Sequence, residues 1–288
     1  MNLATIGIIG GSGLYSLAHD RGMEEREVDT PYGKPSSSFM VGEIEGRKVA
    51  FLPRHGRNHE WSPSQINYRA NIYGFKILGV ERLLAVSAVG SLKEEIAPMD
   101  VVIPDQFIDR TRHRPDSFYG DGIVVHVSMA EPFCKVLTES LVEAATGLSV
   151  KVHPRGTYVC IEGPQFSTRA ESHLYRNWGA SIIGMTNLQE AKLAREAEIC
   201  YSTLALVTDY DCWREGDHVD VETVLDYLAK NAATARKMLL ACLASLPSAR
   251  ACRCGQALEN AVLTRPDSID ADTRRRLEPL IGHRLPPA

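Results

Sequence analysis

The chain has 288 residues, 44% of them hydrophobic, and a formal charge of -4 from 32 basic and 36 acidic side chains. That length supports one large α/β domain or two small ones, with ample apolar area for a core. The near-balanced charge points to no nucleic acid or other polyanion partner, and no apolar run approaches the roughly 18 residues of a membrane span.

Met1 to Gly13 lacks a basic n-region and runs straight into a strand and a glycine turn, which argues against a secretory signal peptide. Ile6 to Ile9 is an apolar strand ending in Gly10-Gly11-Ser12-Gly13. Glycines there let backbone N–H groups face an anion, and the Ser12 hydroxyl adds a donor. The turn fails the dinucleotide fingerprint, because Ser16 stands where its last glycine belongs, and no Gly-Lys-Ser/Thr follows for a Walker loop. A plain tight turn is the alternative reading. A second strand, Lys48 to Leu52, ends at Pro53-Arg54-His55-Gly56. Arg54 offers a planar fork suited to phosphate or carboxylate. His55 and His59 stand four apart, but Gly56 and Asn58 lie between them and no acidic third ligand is placed, so a metal site is not expected.

Gln65 to Leu78 reads as a helix with its stop at Gly79. The strand Arg82 to Val86 leads into Ser87-Ala88-Val89-Gly90-Ser91, whose small side chains, hydroxyls and N–H groups suit either an oxyanion or a plain strand-to-helix turn. Asp109 to Asp121 is polar, with Pro115 and Gly120, and reads as a surface loop. Helices are predicted over Pro132 to Ala145 and Thr168 to Trp178, and a short strand from Ser181 to Gly184 ends at Met185-Thr186. Met185 is either a sugar-side contact or core filler.

Cys200 to Val207 is an apolar run that predicts a buried strand. Asp209 and Asp211 leave its C-terminal end, where open α/β sheets bind ligands. Asp211 could equally cap a loop. The longest helix follows Asp220, with Val221, Val224, Leu225, Ala232, Ala235 and Leu239 at helical spacing. Strand-helix alternation throughout argues an α/β sheet with helices on both faces. The domain is assigned to residues 1–248. The basic tail, 249–288, carries a short charged helix over Asp270 to Glu278 before Pro279, and either packs on the domain or extends away. Seven cysteines with no Cys-x-x-Cys pair predict neither a disulfide scaffold nor a structural zinc site. Cys252 and Cys254 read as ordinary thiols or, alternatively, as a strained redox pair.

Ser12, Arg54, His55, Ser87 and Thr186 thus gather donors at strand ends, an arrangement that would hold inorganic phosphate without a metal. Ile8 to Leu14, Asp29 to Ser36, Arg54 to Arg57, Asn67 to Asn71, Met129 to Cys134, Ile161 to Ser167 and Thr208 to Trp213 resemble the S-methyl-5'-thioadenosine phosphorylases of the trimeric purine nucleoside phosphorylase family. The likeness runs from Ile6 to about Leu243. It implies a mixed, partly barrelled central sheet flanked by helices, in one domain. It implies phosphate-dependent release of adenine from methylthioadenosine in methionine and purine salvage, by a cytoplasmic homotrimer, with a hexamer as the alternative assembly. No cofactor is implied; phosphate is a co-substrate.

By the same resemblance, Ser12, Arg54, His55, Ser87, Ala88 and Thr186 form the phosphate site. Phe166, Ser167, Asp209 and Asp211 form the purine site, and Met185 the ribose floor. Val221, Val224 and Leu225 form an apolar 5' pocket, and His126 is lent by a neighbouring subunit. Serine replaces the family's frequent threonine at Ser12 and Ser87. Asn187-Leu188-Gln189 replaces a proline-containing run, and the loop around Gly216-Asp217-His218 is one residue shorter than in some members. Catalysis is expected from Asp209 as a protonated partner of purine N7, since burial raises a carboxyl pKa, together with Asp211, Arg54 and His55. The competing readings are a broader purine nucleoside or methylthioinosine phosphorylase, a hydrolytic nucleosidase and a non-catalytic nucleoside-binding protein.

Overall fold

Five short apolar runs make the spine of the molecule, and pairing between distant segments adds the rest. The computed structural model describes residues 3–11, 14, 22–214 and 221–286. In chain order the strands and helices begin with β1 (Ile6–Gly10), β2 (Glu24–Arg26), β3 (Phe39–Ile44), β4 (Arg47–Pro53), α1 (Tyr68–Leu78), β5 (Arg82–Ser91), β6 (Val101–Val102) and β7 (Gln106–Arg110). Then come α2 (Lys135–Ala144), β8 (Val152–His153), β9 (Thr157–Ile161), α3 (Arg169–Asn177), β10 (Ile182–Gly184), α4 (Asn187–Glu196), β11 (Cys200–Asp209), α5 (Val221–Ser245) and α6 (Ala271–Ile281). No helix among the described residues is long and apolar enough to cross a membrane.

The strands form one mixed sheet of 11, with β2-β3-β4-β1-β5-β10-β9-β7 as its path and β11, β6 and β8 branching from β5. β1 lies parallel between β4 and β5 and is buried on both faces, which is why its sequence is unbroken Ile and Gly rather than alternating. β5 is the hub. It runs parallel to β1 and β11 and, at its far end, antiparallel to β10. The turn expected over Ser87 to Ser91 is therefore strand: Ala205 to Asp209 of β11 and Ile182 of β10 pair along it. The register of β11 against β5 slips between Val207 and Asp209, leaving Thr208 as an extra residue. Such a bulge re-aims the side chains that follow it.

The helix ends follow their local signals. Asn67 caps α1 by accepting from the Ala70 N–H, and Gly79 closes it in the left-handed conformation, φ 94°. Thr168 and Glu171 form a capping box on α3. The segment Asp109 to Asp121 departs from the surface loop expected of it. Asp109 and Arg110 belong to β7, and Arg114 and Phe118 are buried. Polar composition misled there because Arg114 finds its partners far away in sequence. The tail packs on the domain: Leu258, Ile269, Leu277, Leu280 and Ile281 share a core cluster with Phe75 and Tyr201. Pro279 lies within α6 rather than after it.

Candidate active site

A cavity of about 580 Å³ opens at the C-terminal ends of β5, β10 and β11. That volume suits a nucleoside-sized ligand. Its wall includes thirteen of the residues singled out from the sequence: Arg54, His55, Ser87, Ala88, Phe166, Ser167, Met185, Thr186, Asp209, Asp211, Val221, Val224 and Leu225. Ser12 and the loop around Gly216 to His218 lie outside the described residues, although Gly11 and Leu14, which flank Ser12, line the cavity. His126 does not line it. That residue is exposed, and its backbone N–H donates to Ala261 O.

One end of the cavity is built from charges and hydroxyls. Arg54 leaves β4 only 1% exposed and grips Glu190 of α4 in a two-point pair, Nε to Oε1 at 2.5 Å and Nη2 to Oε2 at 3.1 Å. It also donates from Nη1 to Val86 O and from Nη2 to Ile9 O. Burial opposes the charge, but the Glu190 carboxylate outweighs it and holds the Arg54 pKa above its ordinary value. Tyr201 donates to the same carboxylate at 2.9 Å, and Asn187 bridges Tyr158, Tyr201 and Thr203. This network fixes the arginine before any ligand arrives. Ser87 Oγ is buried and finds no hydrogen-bond partner among the described residues. Thr186 caps α4 without a side-chain bond to its backbone N–H groups, its Oγ1 donating to Asn187 Oδ1 at 3.3 Å, so a helix N-terminus, favourable to anions, faces the same end.

His55 is neutral here. Burial and the Arg54 charge push its pKa down to about 4, and its Nδ1 lies 2.8 Å from Trp61 O. A carbonyl accepts only, so Nδ1 carries the proton and Nε2 is left as an acceptor. The ring therefore suits a protonated phosphate oxygen rather than a bare charge. His55 stacks on His59, with centroids 4.4 Å apart.

The other end holds the carboxylates. Asp209 Oδ2 accepts from Thr208 Oγ1 at 2.7 Å and Oδ1 from the Asp211 N–H at 2.8 Å. Burial nonetheless raises its pKa. Asp211 sits at φ 51° with Oδ2 buried and unpartnered among the described residues, and burial together with the Asp209 charge pushes its pKa up to about 6. Ser167 Oγ is likewise buried without a partner among the described residues. A Cβ at position 90 would stand 2.8 Å from Asp209 Oδ1, so the glycine there lets the acid approach. At the mouth, Val221 and Leu225 are 63% and 53% exposed, and Phe166 is also largely exposed.

Several residues that set this geometry escape a reading of the sequence. Arg114 ties the loops on either side of the cavity, donating to Met185 O and Glu162 O, to Gln189 Oε1 at 3.1 Å and to Tyr68 Oη at 3.2 Å. Glu190, Gln189 and Asn187 are polar positions buried in α4 beside Leu188, Ala191, Leu193 and Ala194, which are buried too. That contrast is the available signal: a buried acid needs a cation, and Arg54 stands at a strand end.

Residues 5–244 match the family model described as the phosphorylase superfamily. Among curated proteins the chain is 53% identical over 280 residues to an S-methyl-5'-thioadenosine phosphorylase of Koribacter versatilis, covering 97% of this chain and 96% of that one. It is 55% identical over 292 residues to one from Synechocystis, covering 99% and 89%. Among solved structures it is similar to a methylthioadenosine phosphorylase from an antarctic soil metagenomic library, with a TM-score of 0.90, 48% identity and coverage of 97% and 99%. It is also similar to an adenosine/methylthioadenosine phosphorylase S12T mutant from Schistosoma mansoni in complex with methylthioadenosine, with a TM-score of 0.80, 38% identity and coverage of 84% and 91%.

Proposed function

The chain belongs to the phosphorylase superfamily, and from that footing we propose that it cleaves S-methyl-5'-thioadenosine with inorganic phosphate, yielding adenine and 5-methylthioribose 1-phosphate. The observation that carries this reading is the joining of two opposite chemistries in one cavity: an anion cradle around Arg54, Ser87 and Thr186, and a pair of raised-pKa acids at Asp209 and Asp211.

In the reaction a phosphate oxygen attacks ribose C1' while the C1'–N9 bond breaks. The bonding pair leaves with the purine, and N7 takes a proton from the acid pair, so adenine departs neutral. Asp209 is the partner of N7 and the 6-amino group, with Asp211 beside it. A 6-oxo purine would set two acceptors together, which favours adenine. Phosphate is positioned beneath C1' by Ser87, the α4 N-terminus and Arg54, and also stabilises the cationic ribose. Ala88 completes that cradle, the family resemblance assigns Ser12 to the same role, and His55 accepts a phosphate proton. Phe166 and Ser167 border the base, and Met185 floors the sugar. Val221, Val224 and Leu225 receive the methylthio group, where an unpartnered hydroxyl would cost about 1–3 kcal/mol.

The exposed apolar mouth supports a homotrimer in which a neighbouring copy covers Val221 and Leu225, with His126 lent across the contact. Its free thiols suit the reducing cytoplasm. Phosphate and nucleoside suffice, with no organic cofactor. Incubating the protein with methylthioadenosine, with and without phosphate, tests the assignment. Free adenine is expected only with phosphate. Adenine released equally without it would make the protein a hydrolase, and tight binding without turnover would make it a nucleoside-binding protein.

A further inference from the structure

Four cysteines from three distant parts of the sequence converge on the side of the core where the tail docks. Cys134 immediately precedes α2, Cys200 opens β11, and Cys252 and Cys254 lie on the tail, Cys254 starting a single 3-10 turn. Their Sγ atoms all lie within 4.8 Å of one another. Cys134, Cys200 and Cys254 are buried and Cys252 is half-buried. We propose that Cys134, Cys200, Cys252 and Cys254 form a tetrathiolate site for one zinc ion, which clasps the C-terminal segment to the phosphorylase core.

The geometry fits one ion. A tetrahedral centre with Zn–S bonds of about 2.3 Å has sulfur-to-sulfur edges of ~3.8 Å. The Cys200 and Cys252 sulfurs stand 3.3 Å apart, well beyond a covalent S–S bond of about 2.05 Å. All seven cysteines are free thiols. The absence of Cys-x-x-Cys spacing speaks only to ligands supplied in local pairs. Here two come from the domain and two from a Cys-x-Cys in the tail, and the fold supplies the proximity.

The surroundings favour thiolates. Cys134 stands at the N-terminus of α2, a ten-residue helix whose partial positive charge stabilises an anion. Arg82 and Arg250 line a 10 Å³ void together with Cys134, Cys200 and Cys252, beside what would be a doubly negative centre. Both arginines also hold the chain around it. Arg82 donates to Ser248 O at 3.2 Å and Arg250 to Glu198 O at 2.9 Å. The void is too small for an organic ligand. Binding is balanced without an oxidant: Zn²⁺ keeps its charge, four thiols become thiolates, and their protons pass to solvent.

Full-length protein purified with reductant and without chelator should carry one zinc per chain by mass-spectrometric metal analysis. A mercurial thiol reagent should release that zinc. Cobalt added to metal-free protein should give the visible bands of a tetrahedral tetrathiolate. Cys252→Ser, half-buried and the gentlest of the four changes, should lose the zinc or bind it far more weakly, with an altered cobalt spectrum. Metal-free protein should be cut by protease near Pro247 to Ala251 at least tenfold faster than zinc-loaded protein. The proposal is overturned if reduced, metal-free wild type takes up neither zinc nor cobalt stoichiometrically. It is equally overturned if intact mass without reductant shows these cysteines joined as disulfides and no metal. None of these readouts depends on catalysis, so the site stands or falls apart from the proposed reaction.

Discussion

The two ends of the cavity are built in opposite ways. The anion end is finished within one chain: Arg54, Glu190, Asn187, Tyr201 and Thr203 are buried and hydrogen-bonded to one another. The mouth is open among the described residues, with Val221, Leu225 and Phe166 exposed on its rim. On the proposed assignment, the difference follows from the chemistry each end would handle. A cation that must meet phosphate in low dielectric has to be fixed beforehand, because reorganising it during the reaction would raise the barrier. An apolar 5' substituent needs only a dry surface, and a neighbouring copy can supply part of that.

The largest test of this contrast is to break the buried pair. Glu190→Ala leaves the Arg54 charge in the core without its partner, and it should cost about 3–5 kcal/mol of stability, read as the shift in denaturant midpoint. An unchanged midpoint would mean that the anion end is less tightly built than it looks. Asp209→Ala should act the other way round. It should lower kcat by about 10²–10⁴ while leaving the melting temperature close to wild type. Gly90→Ala should reproduce part of that loss, because the new methyl presses on Asp209 Oδ1.

Much of the carboxylate end was legible from sequence. An apolar run followed by two acids marks a strand end, and strand ends carry sites whatever the rest of the chain does. The anion end was legible only as a set of donors. Nothing local to Arg54 names Glu190, which is 136 positions away, and Arg114 sits in a stretch that reads as surface because its carbonyl partners come from Glu162 and Met185. β5 was cut short for a similar reason: Ser87 to Ser91 has little strand propensity, and the strand there is imposed by β10 and β11. Long-range pairing, whether of charges or of strands, is what a periodicity reading leaves out.

pH separates the two ends next. Asp211, at about 6 in the folded protein against 3.8 ordinarily, binds its proton more tightly when folded. Its contribution to stability is therefore present at low pH and is lost as pH rises from about 4 to 6. Asp211→Asn should gain up to about 3 kcal/mol at pH 8, gain nothing at pH 4, and turn over more slowly. His55 has the opposite sign. Its pKa is depressed to about 4, so its contribution is present above 6.5 and is lost as pH falls toward 4. Chemical denaturation of wild type and Asp211→Asn across pH 4 to 8 separates the two: the Asp211 contribution vanishes in the variant and the acid-side loss from His55 remains.

The smallest effect belongs to the mouth, and it bears most directly on what the mouth is for. Leu225 is 53% exposed and makes little core contact in one chain, so Leu225→Ser should leave the melting temperature within a degree or two if only that chain mattered. Burying one apolar group in a pocket discriminates between ligands by about 1–3 kcal/mol, or 10- to 200-fold. The serine should therefore raise KM for methylthioadenosine and narrow its advantage over adenosine by about tenfold, with kcat little changed, because the contact lies away from C1'. If a second copy closes the mouth, the same substitution should also weaken self-association, seen as a shift toward smaller species in analytical ultracentrifugation. A loss of discrimination with assembly intact would put Leu225 against the ligand alone. A loss of assembly together with discrimination would mean that the pocket wall and the subunit contact are one surface, and that the nucleoside end of the site is completed only when copies meet.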